Sequence, residues 1–171
     1  MVSGVDPESY KSSLRKFASG ITIVTVASNG DVHGMTATSF ASVSLDPPLI
    51  LVSLEKRSHT RNLVLASRSF AVNVLDANQE SLARDFAKRG EKIFSGIECR
   101  RSASGAPLIA GCLAWLECDI TDVVPGGDHD VVIAKVVASE TRDGVPLIYY
   151  ERAYRVLEQS ANPQSPAAPP E

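Results

Sequence analysis

The sequence lacks the features that mark several protein classes. No apolar run approaches the roughly 20 residues that a membrane helix needs, and the start MVSGVDPESYKSS lacks the basic-then-apolar pattern of a signal peptide. Lysine and arginine total 17 against 20 acidic residues, so no broad basic surface is available for nucleic acid. We therefore expect a cytoplasmic protein that binds neither nucleic acid nor a membrane.

Cysteine, metal and nucleotide motifs are equally scarce. Cys99, Cys112 and Cys118 form no CxxC pair, which predicts reduced structural thiols. The three histidines lack metal-ligand spacing, so no metal is expected. Neither GxGxxG, GxxxxGK[ST] nor the GxSxG elbow of hydrolases occurs. Any nucleotide must therefore be held without a Rossmann or P-loop cradle.

The length and composition favour one domain. With 171 residues, 44% of them hydrophobic, the chain can bury one core but is too short for two ordinary domains. We assign that domain to residues 1–157. The Pro- and Ala-rich tail, residues 158–171, has too little apolar surface to offset its ordering entropy and is predicted to be disordered.

Three short segments have helical patterns. Asp6 and Pro7 predict a helix start, followed by Tyr10, Leu14, Phe17 and Ala18 on one amphipathic face that ends before Gly20. The other two are a helix capped by Ser58, carrying Leu63 and Val64, and one over about 79–87, with Leu82 and Phe86 on one side.

The other apolar segments predict strands. ITIVTVA and the run from Val32 form a hairpin around SNGD, and LILVSL after Pro47 and Pro48 has the composition of a continuously buried strand. Further strands are FAVNVL, a long hairpin of 112–124 with 131–139, and 146–150. Because neighbouring strands are mostly joined by turns, the fold class is mainly β, a closed or nearly closed antiparallel barrel with a few helices.

Three polar segments are candidates for a binding site. GMTATSFASVS, from Gly34 to Ser44, places small hydroxyls on one strand, where a flat ligand can approach the backbone; a solvent-facing polar strand is an equal alternative. EKRSHT follows a buried strand and opens a helix, whose free N–H groups suit a phosphate; the alternative is a solvated turn. His129, between two aspartates in GGDHD, is either a surface histidine or a group that meets a ligand near neutral pH.

The order of these segments resembles the flavin reductase family with the FMN-binding split-barrel fold, in particular the small reductase components of two-component flavin-dependent monooxygenases. The resemblance spans nearly the whole chain and is carried by LRKFASGITIVT, GMTATSFASVSLDPPLILVSLEKRSHT, FAVNVL, DFAKRGEKIF, GAPLIAGCLAWLEC, GGDHDVVIAKV and PLIYYERAY. It implies a homodimeric, six-stranded antiparallel Greek-key barrel with the flavin near the dimer interface.

The resemblance also implies roles for particular residues. His129 matches the position that meets the nicotinamide, with Tyr154 lining the same pocket, and Phe86 and the loop Lys92 to Phe94 resemble a further flavin wall. The residues that resemble isoalloxazine contacts are Thr36, Ala37, Thr38 and Ser39, and those that resemble ribityl and phosphate contacts are Ser53, Leu54, Lys56, Ser58 and Thr60.

The implied activity is transfer of hydride from NAD(P)H to FMN or FAD, with reduced flavin supplied to a partner monooxygenase. The motifs do not separate FMN from FAD. NADH is the default over NADPH, because no clamp for a ribose 2′-phosphate is visible. Two alternatives stay open: a flavin-binding carrier or electron-transfer protein that oxidises no NAD(P)H, and a barrel used only for association.

Overall fold

The computed structural model describes residues 4–90 and 94–157. It contains helices α1 (Pro7–Leu14), α2 (His59–Ser67) and α3 (Glu80–Ala87), with a 3-10 turn at Ala77–Gln79. The strands are β1 (Ser19–Gly20), β2 (Thr22–Ser28), β3 (Asp31–Ala37), β4 (Phe40–Leu45), β5 (Pro48–Glu55), β6 (Ser69–Val74), β7 (Cys99–Arg101), β8 (Pro107–Ile109), β9 (Ala114–Gly126), β10 (His129–Thr141), β11 (Leu147–Tyr150) and β12 (Ala153–Val156). The predicted tail and the residues Lys92 and Ile93 of the predicted wall lie outside the described residues.

The main sheet closes into a barrel through one bent strand. Its seven strands have the order β3-β2-β6-β9-β10-β5-β4, and all pairings are antiparallel. The two end strands, β3 and β4, are consecutive in the chain and are separated only by Thr38 and Ser39. Counted as one bent strand they give the six strands that were predicted; counted separately the sheet has seven. The mainly β, antiparallel prediction is confirmed.

The hairpins follow from their turn residues. The β2–β3 hairpin turns through Asn29 and Gly30, whose φ angles of 52° and 87° match the turn that suits twisted strands. In the long β9–β10 hairpin, Gly127 has a φ of 65°, and strand pairing continues to Gly126 and His129. The predicted turn of four residues, 125–128, is therefore shorter, and His129 begins a strand.

Strand β5 is buried on one of its two faces only. Ile50, Val52 and Leu54 point into the apolar core, while the residues between them are partly exposed. Their alternation is that of a strand with one face on the core and one face outside. The prediction of a continuously buried strand is wrong because no second layer among the described residues covers the outward face of β5.

The first helix differs from its prediction in length and in burial. Asp6 caps it, since its carboxylate accepts from the N–H of Ser9 at 2.9 Å, but the helix ends at Leu14. No residue of α1 is buried, and Phe17, beyond the helix, is 78% exposed. Of the predicted amphipathic face only Tyr10 and Leu14 lie on the helix, since Phe17 and Ala18 come after its end, and within the described chain nothing covers them.

A small sheet of β7 and β8 and the final strand β12 were not predicted. Both β7 and β8 have only three residues, too short for a periodic pattern to be recognised. Buried polar bonds attach β8 to the barrel: the Thr25 hydroxyl donates to the carbonyl of Pro107 at 2.6 Å, and the amide oxygen of Asn73 accepts from the N–H of Ile109 at 2.7 Å.

The cysteine prediction is confirmed. All three thiols are free, and Cys112 and Cys118 are buried. Burial raises the pKa of each of these two thiols to about 12, so neither is a thiolate near neutral pH. Among the described helices, none is both long and apolar enough to cross a membrane.

Candidate functional site

A cavity of about 820 Å³ lies between the start of α2, strand β3 and the end of α3. Its volume is within the range of sites that bury a cofactor-sized molecule. Three segments line most of it: part of 30–36, then 57–60 and 86–90. The first includes residues of the predicted polar strand, and the second lies in the segment EKRSHT that was predicted to bind a phosphate. Of the predicted site residues, Thr36, Ser58, Thr60 and Phe86 line this cavity.

The start of α2 supplies hydrogen-bond donors to the cavity. Ser58 caps the helix, its hydroxyl accepting from the N–H of Arg61 at 3.4 Å. The N–H groups of His59 and Thr60 have no acceptor earlier in the helix, because a helix leaves its first amides unpaired. No acidic residue lies in the first turn. This end of the cavity therefore suits an anionic group such as a phosphate.

The opposite wall is formed by α3, which packs closely on β3. Phe86 is buried and meets Phe94 edge to face at 5.2 Å between ring centres. The Thr36 hydroxyl donates to the carbonyl of Ala83 at 2.6 Å, so Thr36 holds this wall in place as well as facing the cavity. Gly34 lets the two elements approach, since a Cβ there would lie 2.8 Å from a ring carbon of Phe86.

We expect Gly34→Ala to lower the free energy of unfolding by about 1–3 kcal/mol, because the added methyl group must displace the buried Phe86 ring. Gly20→Ala is the matched control, since Gly20 lies in a strand and its Cβ would have no atom within 4 Å. Urea unfolding of both variants measures the difference. Equal stability of the two variants would contradict the tight contact between β3 and α3.

The polar strand meets β5 beside the cavity. The Ser39 hydroxyl donates to the carbonyl of Ser53 at 2.9 Å and accepts from its N–H at 3.3 Å. Ala37 and Leu54 have their side chains in the barrel core, so only their backbone groups can meet a ligand. Thr38, between β3 and β4, is exposed. The two predicted segments therefore meet through Ser39 and Ser53 and share one cavity through Thr36, Ser58 and Thr60, whereas Thr38, Ser39 and Ser53 are not part of its lining.

Lys56 contacts the hairpin that carries His129. Its N–H donates to the carbonyl of Asp128 at 3.0 Å and its ammonium to that of Gly127 at 2.6 Å. Arg57, the next residue of the predicted segment EKRSHT, lines the cavity instead. Both residues lie in the turn that follows β5, which ends at Glu55, and their side chains have different targets.

His129 lies at the edge of the cavity, 43% exposed at its side chain. Its backbone is paired directly with Glu55, which does line the cavity. The Nδ1–H donates to the carboxylate of Asp128 at 2.7 Å, which leaves Nε2 directed away from that partner. This hydrogen bond is the largest cause that lowers the pKa of Asp128 from its usual value, and the electrostatic attraction of the imidazole is the second.

Tyr154 lines a different hollow, on the far side of α3. It meets Tyr149 edge to face at 5.5 Å, and Arg84 lies over its ring at 4.6 Å. Arg152, also in this hollow, has a φ of 63°. Among the residues that the structure describes, only Ala87 and Lys88 border both spaces. In the single chain the structure therefore does not bring Tyr154 together with the other predicted residues.

The cavity contains residues that the sequence reasoning missed. His33 is buried between α2 and the segment after α3: its Nε2–H donates to the carbonyl of Gly90 at 3.1 Å, and Nδ1 lies 2.8 Å from the Thr60 hydroxyl. His59 meets His33 edge to face at 5.0 Å. Met35 contacts the Ser58 hydroxyl through its sulfur at 3.7 Å. No local pattern distinguishes these residues, because they come together only through the packing of α2 on β3.

The chain is similar to known proteins over most of its length. The family model described as the flavin reductase like domain matches residues 14–158. A probable flavin reductase from Rhizobium meliloti (strain 1021) is 38% identical over 136 residues, which are 79% of this chain and 44% of that protein. This chain therefore spans less than half the length of that relative.

Two further proteins match along nearly their whole length. The reductase subunit HsaB of a flavin-dependent monooxygenase from Rhodococcus jostii (strain RHA1) is 35% identical over 163 residues, covering 95% of this chain and 84% of that protein. The solved structure of an NADH:FAD oxidoreductase from Streptomyces globisporus, in complex with NAD and FAD fragments, superposes with a TM-score of 0.87 at 35% identity. The superposed region covers 94% of this chain and 100% of the Streptomyces globisporus chain.

Proposed function

Because the chain belongs to the flavin reductase family, we propose that it is an NAD(P)H:flavin oxidoreductase that passes hydride to FMN or FAD and supplies reduced flavin to a partner monooxygenase. The observation that carries this proposal is the 820 Å³ cavity, in which the donor-rich start of α2 faces an aromatic and apolar wall. The similar reductase subunit of a monooxygenase and the similar NADH:FAD oxidoreductase support it.

The residues of the cavity fit a flavin. The N–H groups at the start of α2, with the Ser58 hydroxyl and Arg57, would hold a phosphate, and each charge-assisted hydrogen bond contributes roughly 1.5–3 kcal/mol. Phe86 and Met35 would pack against apolar atoms of the ligand. Ser39, Ser53 and the backbone near Thr38 would meet the polar edge of the ring.

When bound together, the flavin and the nicotinamide supply the redox chemistry, in which a hydride passes between the two. The chain has to bind them, orient them and keep the approach to the cavity open. His129 would orient the nicotinamide from the edge of the cavity, because its ring is fixed by Asp128 and is partly exposed. The same arrangement requires no side-chain nucleophile.

Steady-state oxidation of NADH and NADPH by the purified protein, with and without added FMN or FAD, tests the proposal. We expect turnover that depends on added flavin, with NADH preferred. Tight copurifying flavin without NADH oxidation would instead indicate a carrier or electron-transfer protein. No flavin affinity in equilibrium dialysis would leave only a role in association.

The proposal includes a homodimer, with residues 1–157 as its single domain. The uncovered apolar side chains at the start of the chain support this assembly: Val5, Tyr10, Leu14 and Phe17 are all exposed. Sedimentation equilibrium is expected to give twice the mass of one chain. A cytoplasmic location belongs to the same proposal, since NADH is available there and all three thiols are free.

A further inference from the structure

An ion pair with a buried carboxylate lies directly beside His129. Asp130, the next residue in β10, is 3% exposed, and both Nε and Nη2 of Arg61 donate to its carboxylate, Nε at 2.8 Å. Arg61 lies in the first turn of α2, but it does not line the cavity. Because successive side chains of a strand point to opposite faces, Asp130 faces α2 while His129 faces outward.

The same carboxylate also faces Lys56. The Lys56 ammonium is 4.0 Å from the second oxygen of Asp130 and donates to the carbonyl of Gly127 in the hairpin turn. The hairpin tip is thereby attached at two places: by Lys56 to the end of β5, and by Arg61 to the start of α2. The bond from the backbone of Lys56 to Asp128 completes this connection.

These contacts join the two parts of the proposed active site. The start of α2 holds the end of the cavity that suits a phosphate, and the hairpin tip carries the imidazole that is proposed to meet the nicotinamide. Two nitrogens of the planar Arg61 guanidinium donate to one oxygen of Asp130, Oδ2, so this pair has a more fixed geometry than a single flexible charge. Displacement of reacting groups by about 1 Å can cost on the order of a hundredfold in rate.

We propose that Arg61 and Asp130 are positioning residues, which hold His129 at the distance from the start of α2 at which the nicotinamide and the flavin meet. This inference rests on the proposed function. It predicts that Arg61 acts on turnover through His129, and not through flavin affinity or through the general stability of the fold.

The chain offers a matched control at the other end of β10. Arg142 follows the last residue of that strand and donates to the buried carboxylate of Asp76 at 2.9 Å. Like Arg61, it is a partly exposed arginine that pairs with a nearly buried aspartate. Its hydrogen bonds also reach the backbone of Gly111 and Cys112, and within the described ranges none of its hydrogen-bond partners lines the cavity.

A double-mutant cycle on kcat/KM for NADH tests the proposal, with flavin saturating and its dissociation constant measured separately. We expect Arg61→Met to lower kcat/KM for NADH about tenfold in the native background. In the His129→Ala background the same substitution is expected to lower it less than twofold, because no imidazole remains to be positioned. Arg61→Lys should recover part of the loss, since lysine supplies a charge without the planar fork.

Arg142→Met is expected to have the same small effect in both backgrounds. If Arg61→Met has an equal effect with and without His129, or acts mainly on flavin affinity, the positioning role is overturned. Should Arg61→Met not fold, Asp130→Asn gives the same cycle with an isosteric side chain. Absence of flavin-stimulated NADH oxidation in the native protein would overturn the proposed function itself, whereas additive effects in an active enzyme would overturn only this inference.

Discussion

His129→Ala is expected to lower kcat/KM for NADH by about 10- to 100-fold while changing the dissociation constant of flavin less than twofold. The imidazole is held by Asp128 at the edge of the cavity, and it contacts none of the groups at the start of α2 that would bind the phosphate. Its removal should therefore weaken the nicotinamide step, by about 1.4–2.7 kcal/mol, and spare the binding of flavin.

Val124→Ala is the control for this substitution. Val124 is also a partly exposed residue of the β9–β10 hairpin, so its truncation tests the loss of side-chain volume without the loss of an imidazole. Stopped-flow reduction of bound flavin by NADH, together with flavin titration, separates the two steps. Equal loss of nicotinamide and flavin binding in His129→Ala would mean that the residue supports the cavity as a whole.

Asn73→Leu is expected to lower the free energy of unfolding by about 2–5 kcal/mol. Asn73 has no exposed surface; its amide donates to the carbonyl of Ile23 and to the Thr25 hydroxyl, both at 3.0 Å, and accepts from Ile109. A leucine side chain keeps the volume but leaves buried groups unpaired, each at about 1–3 kcal/mol. The hydrogen bonds that are lost are those that attach β8 to the barrel, so the destabilisation should be greatest there.

Ser69→Ala gives the comparison within the same strand. Ser69 also makes a side-chain hydrogen bond, to Asp119 at 2.6 Å, but that bond is exposed to water, so its removal should cost less than about 0.5 kcal/mol. Urea unfolding monitored by the fluorescence of the single tryptophan, Trp115, measures both variants. A loss below about 1 kcal/mol for Asn73→Leu would show that water replaces the missing partners.

Much of the barrel could be predicted because its signals are local. The β2–β3 and β9–β10 hairpins follow from turn residues between β-branched runs, and α2 follows from its serine cap. The short strands β7 and β8 could not be predicted, because three residues carry no period. The burial of β5 and the exposure of α1 also could not, since both depend on which elements cover them.

The candidate site also has parts that could be predicted from the sequence and parts that could not. The polar strand and the start of α2 were recognisable as segments, because small hydroxyls and a capped helix start have chemistry that is visible in the residue types. His33 and His59 were missed, and Lys56 was placed among the phosphate contacts although its ammonium bonds the hairpin turn and its neighbour Arg57 lines the cavity. The direction of each side chain depends on strand register and on the packing of α2 against the barrel. Neither can be inferred from the residues adjacent in the sequence.

The sequence by itself determined the class of fold, the order of the hairpins and the presence of a helix start suited to an anion, because turn geometry, strand composition and capping act over a few residues. Only the tertiary structure decided which polar residues share one cavity, that Tyr154 faces another hollow, and that Arg61 reaches the hairpin of His129. Arg61 and Asp130, for example, are 69 positions apart, and such contacts form only when the barrel closes.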